Sequence, residues 1–422
     1  MENILAMILA GGRVNQLDVL TENRPKSALP FGGLYRVIDF PLSNLMYSGI
    51  RRIGIPSQYR PFSLMNHIGD GSAWDMSGRN SSLHILPPFK GHRPSDWYQG
   101  SADAIFQNMD YIKNMRPEKV LILSGDHIYN MDYTRLVKFH NEADAEVTVA
   151  FKEVPFDQAT RFGLGEIQAG KREGGRLLSY AEKPDYPTGT NASLTIYLFN
   201  FETLLSIYEE FANGRTFDFG KDLIPEILDR YRTYGYKFDG YWGYTNSIVE
   251  YYRTNMSLLQ RDSELAPDKW QVKTNLRNRN LADREPAIIG KQARIKNSLI
   301  YNGCKIYGSV ENSILFPGSY VGPDSQVRDS IIMFDSRVQE KARINQAIVD
   351  ADVRVETGAS IGSQDSTSFF ETEDIHEDGI VLVGQRTVVP AFSAIAPGKK
   401  VQPNLLNGSF AMHNYEIKEF IG

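Results

Sequence analysis

Residues 313–332 read SILFPGSYVGPDSQVRDSII, and the pattern then repeats. Ser313-Ile314-Leu315 returns as Ser330-Ile331-Ile332 and again as Ala347-Ile348-Val349, a step of 17 residues. Within each step an aliphatic residue falls every five or six positions. The series is Leu315, Val321, Val327, Ile332, Val338, Ile344, Val349, Val355 and Ile361, at spacings of 6, 6, 5, 6, 6, 5, 6 and 6. Such a rhythm turns one apolar side chain inward on each face of a triangular prism. It predicts a left-handed parallel β-helix over 287–422, with three coils in register. A solenoid leaves open ends, so this module is expected to serve packing and oligomerisation. An acyltransferase site built on the same repeat would need a base, usually histidine. No histidine lies between Asn141 and Ile375. Residues 365–377 are polar, break the rhythm and read as an inserted loop.

Working outward, the N-terminal half has a different texture. Short apolar runs at 4–9, 52–55, 120–123 and 146–151 alternate with helix-like stretches such as 41–48. Runs that do not alternate suit strands covered on both faces, hence an α/β fold with a mostly parallel sheet and flanking helices. Ligands of such sheets bind where strands end in loops. Gly11-Gly12 after the first strand and Asp126 after a central one should share one crevice. The expected domains are 1–265 and 287–422, joined by a linker at 266–286 rich in Pro, Asp, Asn and Arg.

Composition sets limits. The 422 residues are 41% hydrophobic and 23% charged, as in soluble globular proteins. A net charge of −5 argues against nonspecific nucleic-acid binding. Cys304 is the only cysteine, which excludes an intrachain disulfide and a cysteine metal cluster. No run approaches the 18 or so apolar residues of a membrane span. The N-terminus lacks a basic n-region and reads as a strand. A reducing cytoplasm is the expected compartment.

The candidate site residues follow from chemistry. Gly11 and Gly12 let backbone N–H groups approach phosphate oxygens. Lys26 follows in a loop, where a solvated lysine is the commoner state. In Tyr98-Gln99-Gly100-Ser101, the serine could cap a helix as its N-cap. Asp126, after a buried strand and a glycine, is well placed to hold Mg²⁺ between phosphates.

These stretches closely resemble bacterial glucose-1-phosphate adenylyltransferases (ADP-glucose pyrophosphorylases). The resemblance rests on Arg24-Pro25-Lys26-Ser27-Ala28, Phe31-Gly32-Gly33, residues 36–44 and 48–54, Trp97 to Ala104 and Leu123 to Tyr129. It continues through Glu182-Lys183-Pro184, Ser193 to Tyr197 and residues 218–225. It implies a Rossmann-like nucleotidyltransferase followed by the β-helix, with Mg²⁺, ATP and glucose 1-phosphate. It also implies roles for single residues: Lys26 facing nucleotide phosphates, Asp126 on the metal, and Gly11, Gly12, Gln58, Tyr98, Gly100 and Ser101 around the nucleotide. Glu182, Lys183, Ser193 and Asp218 would hold the sugar phosphate. Arg24, Arg36, Arg51 and Arg52 form a basic set that an anionic effector could use, although structural arginines are commoner.

The sequence departs from the family at chosen places. The loop runs Gly11-Gly12-Arg13-Val14-Asn15-Gln16, with Val14 where the family has glycine and Gln16 where it has arginine. Tyr244 replaces the aspartate that is the second metal ligand, Asn246 replaces a glycine, and Thr195 replaces another. A neutral phenol is a poor Mg²⁺ ligand, and glutamine brings neither the charge nor the fork of arginine. Losing one preorganised charged stabiliser typically costs about 3–4 kcal/mol of transition-state stabilisation. The expectation is a catalytically impaired subunit or paralogue that modulates an active homologue, as a homo- or hetero-tetramer. The alternatives are an active adenylyltransferase with a compensated metal site, a nucleotidyltransferase for another base or sugar, and a sugar-phosphate sensor without turnover.

Overall fold

The structure, a computed structural model, describes residues 3–12, 15–79, 81–88, 97–170, 172–211, 218–278, 280–362 and 379–405. The chain divides into two compact units that do not follow chain order. One comprises Met1–Gly12, Val37–Gly243 and Asp268–Lys273; the other comprises Arg13–Arg36, Tyr244–Pro267 and Thr274–Gly422.

The first unit is built on a nine-stranded sheet. Its strands are β1 (Ile4–Leu9), β2 (Arg52–Pro56), β3 (Ser82–Leu86), β4 (Lys119–Ser124), β5 (Val147–Glu153), β6 (Gly163–Ile167), β7 (Gly174–Glu182), β8 (Asn191–Asn200) and β9 (Thr233–Lys237). Their spatial order is β3-β2-β1-β4-β8-β5-β9-β7-β6. β8 and β7 run against the other strands, so the sheet is mostly parallel with two reversals. The apolar runs at 4–9 and 120–123 become β1 and β4, paired in parallel from Ile4↔Lys119 to Leu9↔Ser124. Both are buried on two faces, which is why neither alternates. The helix foreseen at 41–48 spans Asp39–Tyr47.

β8 carries an irregularity against β5 between Ser193 and Tyr197. Thr195 lies inside it with φ of 55°. The left-handed region strains a β-branched residue and suits glycine. The demand at this position is first of all on the backbone.

In the second unit three six-stranded parallel sheets wrap one prism. Val321 pairs with Val338 and Val338 with Val355 on one face. Val327 pairs with Ile344 and Ile344 with Ile361 on the next, and Leu315 with Ile332 and Ile332 with Val349 on the third. All nine residues of the aliphatic series lie in one core, together with Cys304, Ile306, Val383, Val389, Ile395 and Val401. Each such side chain contributes about 1.5–3 kcal/mol by leaving water. Among the described residues six coils form where three were legible. The inserted loop at 365–377 lies outside the described residues.

Corners of the β-helix use short polar residues. Asn312 and Asp329 adopt φ of 46° and 47°, a conformation Asn and Asp tolerate. Serines stack between coils: Ser330 N–H donates to Ser313 Oγ at 3.1 Å, and Ala347 N–H to Ser330 Oγ at 3.1 Å. The Cys304 thiol donates to Phe316 O at 3.2 Å, and burial raises its pKa.

Candidate active site

Within the first unit, the loops after β1 and β4 are neighbours. Gly125 N–H donates to Leu9 O at 3.0 Å, and a Cβ on Gly125 would lie 3.2 Å from Ala10 Cβ. Gly11 and Asp126 thus meet at one strand-end edge. Gly11 is required by packing: a Cβ there would come 2.9 Å from Gln58 N. Gly12 faces open space. The Gln58 amide is bound on both sides, donating to Tyr98 O at 3.1 Å and accepting from Tyr98 N–H at 2.7 Å. The Tyr98 hydroxyl donates to Leu86 O at 3.1 Å and accepts from Asn108 Nδ2 at 3.0 Å; burial raises its pKa.

Asp126 is about one quarter exposed (24%) and lies 3.4 Å from His127 Nε2. Ser124 Oγ donates to the same carboxylate. His127 packs edge-on against Trp242, whose strand Trp242–Gly243 pairs with Ile128–Tyr129. The aspartate is therefore held on a fixed frame.

A second cluster surrounds Glu182, at the end of β7. Tyr180 donates its hydroxyl to Glu182 Oε2 at 3.1 Å. Burial, with the Glu182 charge nearby, pushes the Tyr180 and Tyr197 phenols well up, so both remain hydrogen-bond donors at neutral pH. Gly163 and Gly220 leave the room: a Cβ at either would overlap Tyr180 or Glu182. Ser193 is buried beside these groups, whereas Lys183 is exposed with φ of 45°. The sequence reading passed over Tyr180 and Gly163 and gave no role to Tyr197 and Gly220 inside the matched motifs, because their contacts run between residues distant in the chain. Asp218 turns toward the helix Ser101–Gln107, accepting from Ser101 N–H at 3.1 Å and Ser101 Oγ at 3.0 Å. Ser101 is not the N-cap as expected. Gly100 holds that position, without a side chain to offer, and Asp218 takes over the capping.

Within the second unit Lys26 is buried, only 1% exposed. Its ammonium donates to Asn246 Oδ1, Asn246 Nδ2 donates to the Tyr244 hydroxyl, and Lys26 Nζ lies 5.5 Å from the Tyr244 ring centroid. A solvated lysine, the commoner state for a loop, is excluded. Gln16 is exposed, and nearby Asp18 pairs with Lys400 of the β-helix at 2.9 Å. Val14 lies outside the described residues.

The family profile described as "Nucleotidyl transferase" matches residues 5–261, and one described as "GlmU-like, C-terminal hexapeptide" matches residues 286–383. A glucose-1-phosphate adenylyltransferase of Clostridium perfringens is 40% identical over 393 residues, covering 92% of this chain and 96% of the relative. One from Acetivibrio thermocellus is 37% identical over 421 residues, covering 98% and 96%. This chain belongs to the glucose-1-phosphate adenylyltransferase family.

The four arginines read as an effector set in this adenylyltransferase-family chain each have protein partners. Arg24, 5% exposed, forms an ion pair with the buried Asp350 and donates to Leu20 O at 3.0 Å. Arg36 donates to Ala28 O. Arg51 pairs with Asp75 at 3.0 Å on the surface, and Arg52 donates to Asn3 Oδ1 and Met115 O. Arg24 and Arg36 belong to the second unit, Arg51 and Arg52 to the first. Among the described residues no helix is long and apolar enough to cross a membrane.

Proposed function

We propose that this chain is a catalytically impaired adenylyltransferase subunit. It retains glucose 1-phosphate recognition around Glu182 and modulates a competent homologue within a tetramer. The relatives' name describes adenylyl transfer to glucose 1-phosphate; in such a reaction a sugar-phosphate oxygen would attack the α-phosphorus of ATP and pyrophosphate would leave. The Glu182 cluster supports the sugar half of this reading. Glu182 would accept from sugar hydroxyls, with Tyr180 orienting it and Ser193 beside it; Lys183, exposed, would meet the phosphate.

One observation carries the impairment. At the position where the resemblance implies a second metal carboxylate, Tyr244 offers a phenol engaged with Asn246 and Lys26. Among the described residues no group of three or more His, Cys, Asp or Glu could hold a metal ion. Mg²⁺ takes one or two carboxylates together with substrate phosphates, so Asp126 would hold it only with the nucleotide bound. Such an ion would neutralise charge on the departing pyrophosphate. With Gln16 in place of arginine as well, a deficit of roughly 10⁴ in rate is expected if the two losses are independent.

The test is pyrophosphate release from ATP and glucose 1-phosphate, by the chain alone and mixed with an active relative. Negligible turnover alone, with co-elution and altered kinetics of the partner, is expected. Normal turnover alone would favour the second reading, an active enzyme with Asp126 as sole metal ligand, for which the preserved Glu182 cluster speaks. Neither turnover nor association would leave a sugar-phosphate sensor.

A further inference from the structure

The residues that depart from the family around 244–246 do more than leave a ligand missing. Lys26 reaches the Asn246 carbonyl oxygen with its ammonium and lies near the Tyr244 ring face, while the other half of the Asn246 amide donates to the Tyr244 hydroxyl. Glycine at 246 could offer no such acceptor. An aspartate at 244 could not present an aromatic face.

The frame holding these groups is stiff. Asn246 precedes the helix Ile248–Met256, which starts with a full capping box between Ser247 and Glu250. Asn246 N–H itself donates to Glu250 Oε2 at 3.1 Å. The same helix grips the chain just after Lys26: Asn255 Oδ1 accepts from Gly32 N–H at 2.8 Å, and Tyr251 donates to Pro30 O. Thr245 between the two departing residues is fully buried (0%). The turn carrying Asn246 and the loop carrying Lys26 are thus tied through one short helix, which fixes their separation.

We infer that Asn246 and Tyr244 form a latch that keeps the Lys26 ammonium from external anions. They act as positioning residues that set how often Lys26 is available to a nucleotide phosphate. The inference rests on the reading of Lys26 as the phosphate lysine. A phosphate oxygen is a stronger partner for an ammonium than an amide oxygen, because both groups are charged. The latch can therefore open, but the open state is a minor one, and apparent affinity falls in proportion to its population. Impairment on this side is in part a reversible occlusion, separate from the missing metal carboxylate.

The test uses the full chain with Asn246→Ala, Asn246→Gly and Tyr244→Phe. Two quantities are read: acetylation rate of Lys26 with an acetylating reagent, followed by peptide mass spectrometry, and MgATP affinity by calorimetry. Circular dichroism checks that each variant is folded. Both Asn246 variants should raise Lys26 acetylation at least about tenfold and tighten MgATP binding about five- to tenfold, in line with a population tax removed. Tyr244→Phe, which keeps the ring and loses the hydroxyl that orients the amide, should give a smaller change of the same sign. Unchanged acetylation in folded Asn246 variants would overturn the latch. Increased acetylation with unchanged MgATP affinity would overturn its role as a gate on the nucleotide. Pyrophosphate release by the wild-type chain reads the underlying impairment independently, so the two failures are distinguishable.

Discussion

The surroundings of Glu182 and those of Lys26 engage their charged groups in opposite ways. Around Glu182 two glycines, Gly163 and Gly220, make room for a carboxylate, and Tyr180 donates to it. The acceptor is poised and its neighbours orient it. Around Lys26 the charged group is buried and already engaged by Asn246 and the Tyr244 face. At Glu182 the neighbours leave room beside a carboxylate, whereas at Lys26 the protein itself supplies the partners. A protein that relaxed without selection would be expected to lose both sides together. Loss concentrated at the triphosphate side is what a subunit would show if it kept recognition and gave up chemistry.

The largest expected effect concerns the loop that carries Lys26. Arg24 and Asp350 form a buried ion pair that ties this loop to the β-helix. Arg24→Ala should cost about 3–5 kcal/mol, since it leaves a buried charge unpaired; denaturant unfolding followed by fluorescence would measure it. A loss below about 1 kcal/mol, the range of exposed pairs, would show that Arg24 is free for other partners. Next, Glu182→Ala should weaken glucose 1-phosphate binding about 10- to 150-fold, the range of hydrogen bonds to a charged group. Calorimetry with and without ATP would read it, and ATP affinity should stay unchanged. Lys26→Ala sharpens the contrast: because Lys26 is already occupied, MgATP affinity should shift by less than about threefold. A loss comparable to that of Glu182→Ala would erase the difference between the two regions. The smallest effect belongs to Thr195→Gly. Relief of the left-handed backbone, offset by glycine's greater freedom when unfolded, should stabilise the fold by at most about 1 kcal/mol.

Much of this was legible in residue order alone. Leu315 to Ile361 carry their spacing into the core unchanged, because a solenoid's inward positions are fixed by local periodicity. β1 and β4 were legible for a similar reason: burial on both faces leaves an uninterrupted apolar run. Contacts between distant residues left no such trace. Nothing near Arg24 announces Asp350, 326 positions away, so four arginines that look like one basic set are each spoken for. Lys26 looked like a loop lysine, and only the fold brings Asn246 to it. Asn246 was visible as a departure, yet its role as a partner was not. At Ser101 the helix was foreseen but its cap was misplaced by one residue, because Asp218 supplies from afar what a local side chain would otherwise provide.

The most direct measurement is pyrophosphate release by the wild-type chain alone, with ATP, glucose 1-phosphate and Mg²⁺. It should be run at high protein concentration beside the Clostridium perfringens relative. The account predicts a rate lower by roughly 10⁴ from folded protein, the sum of a lost charged stabiliser and a lost metal carboxylate. Comparable rates from the two proteins would contradict it, and would mean that Gln16, Tyr244 and Asn246 are compatible with the chemistry.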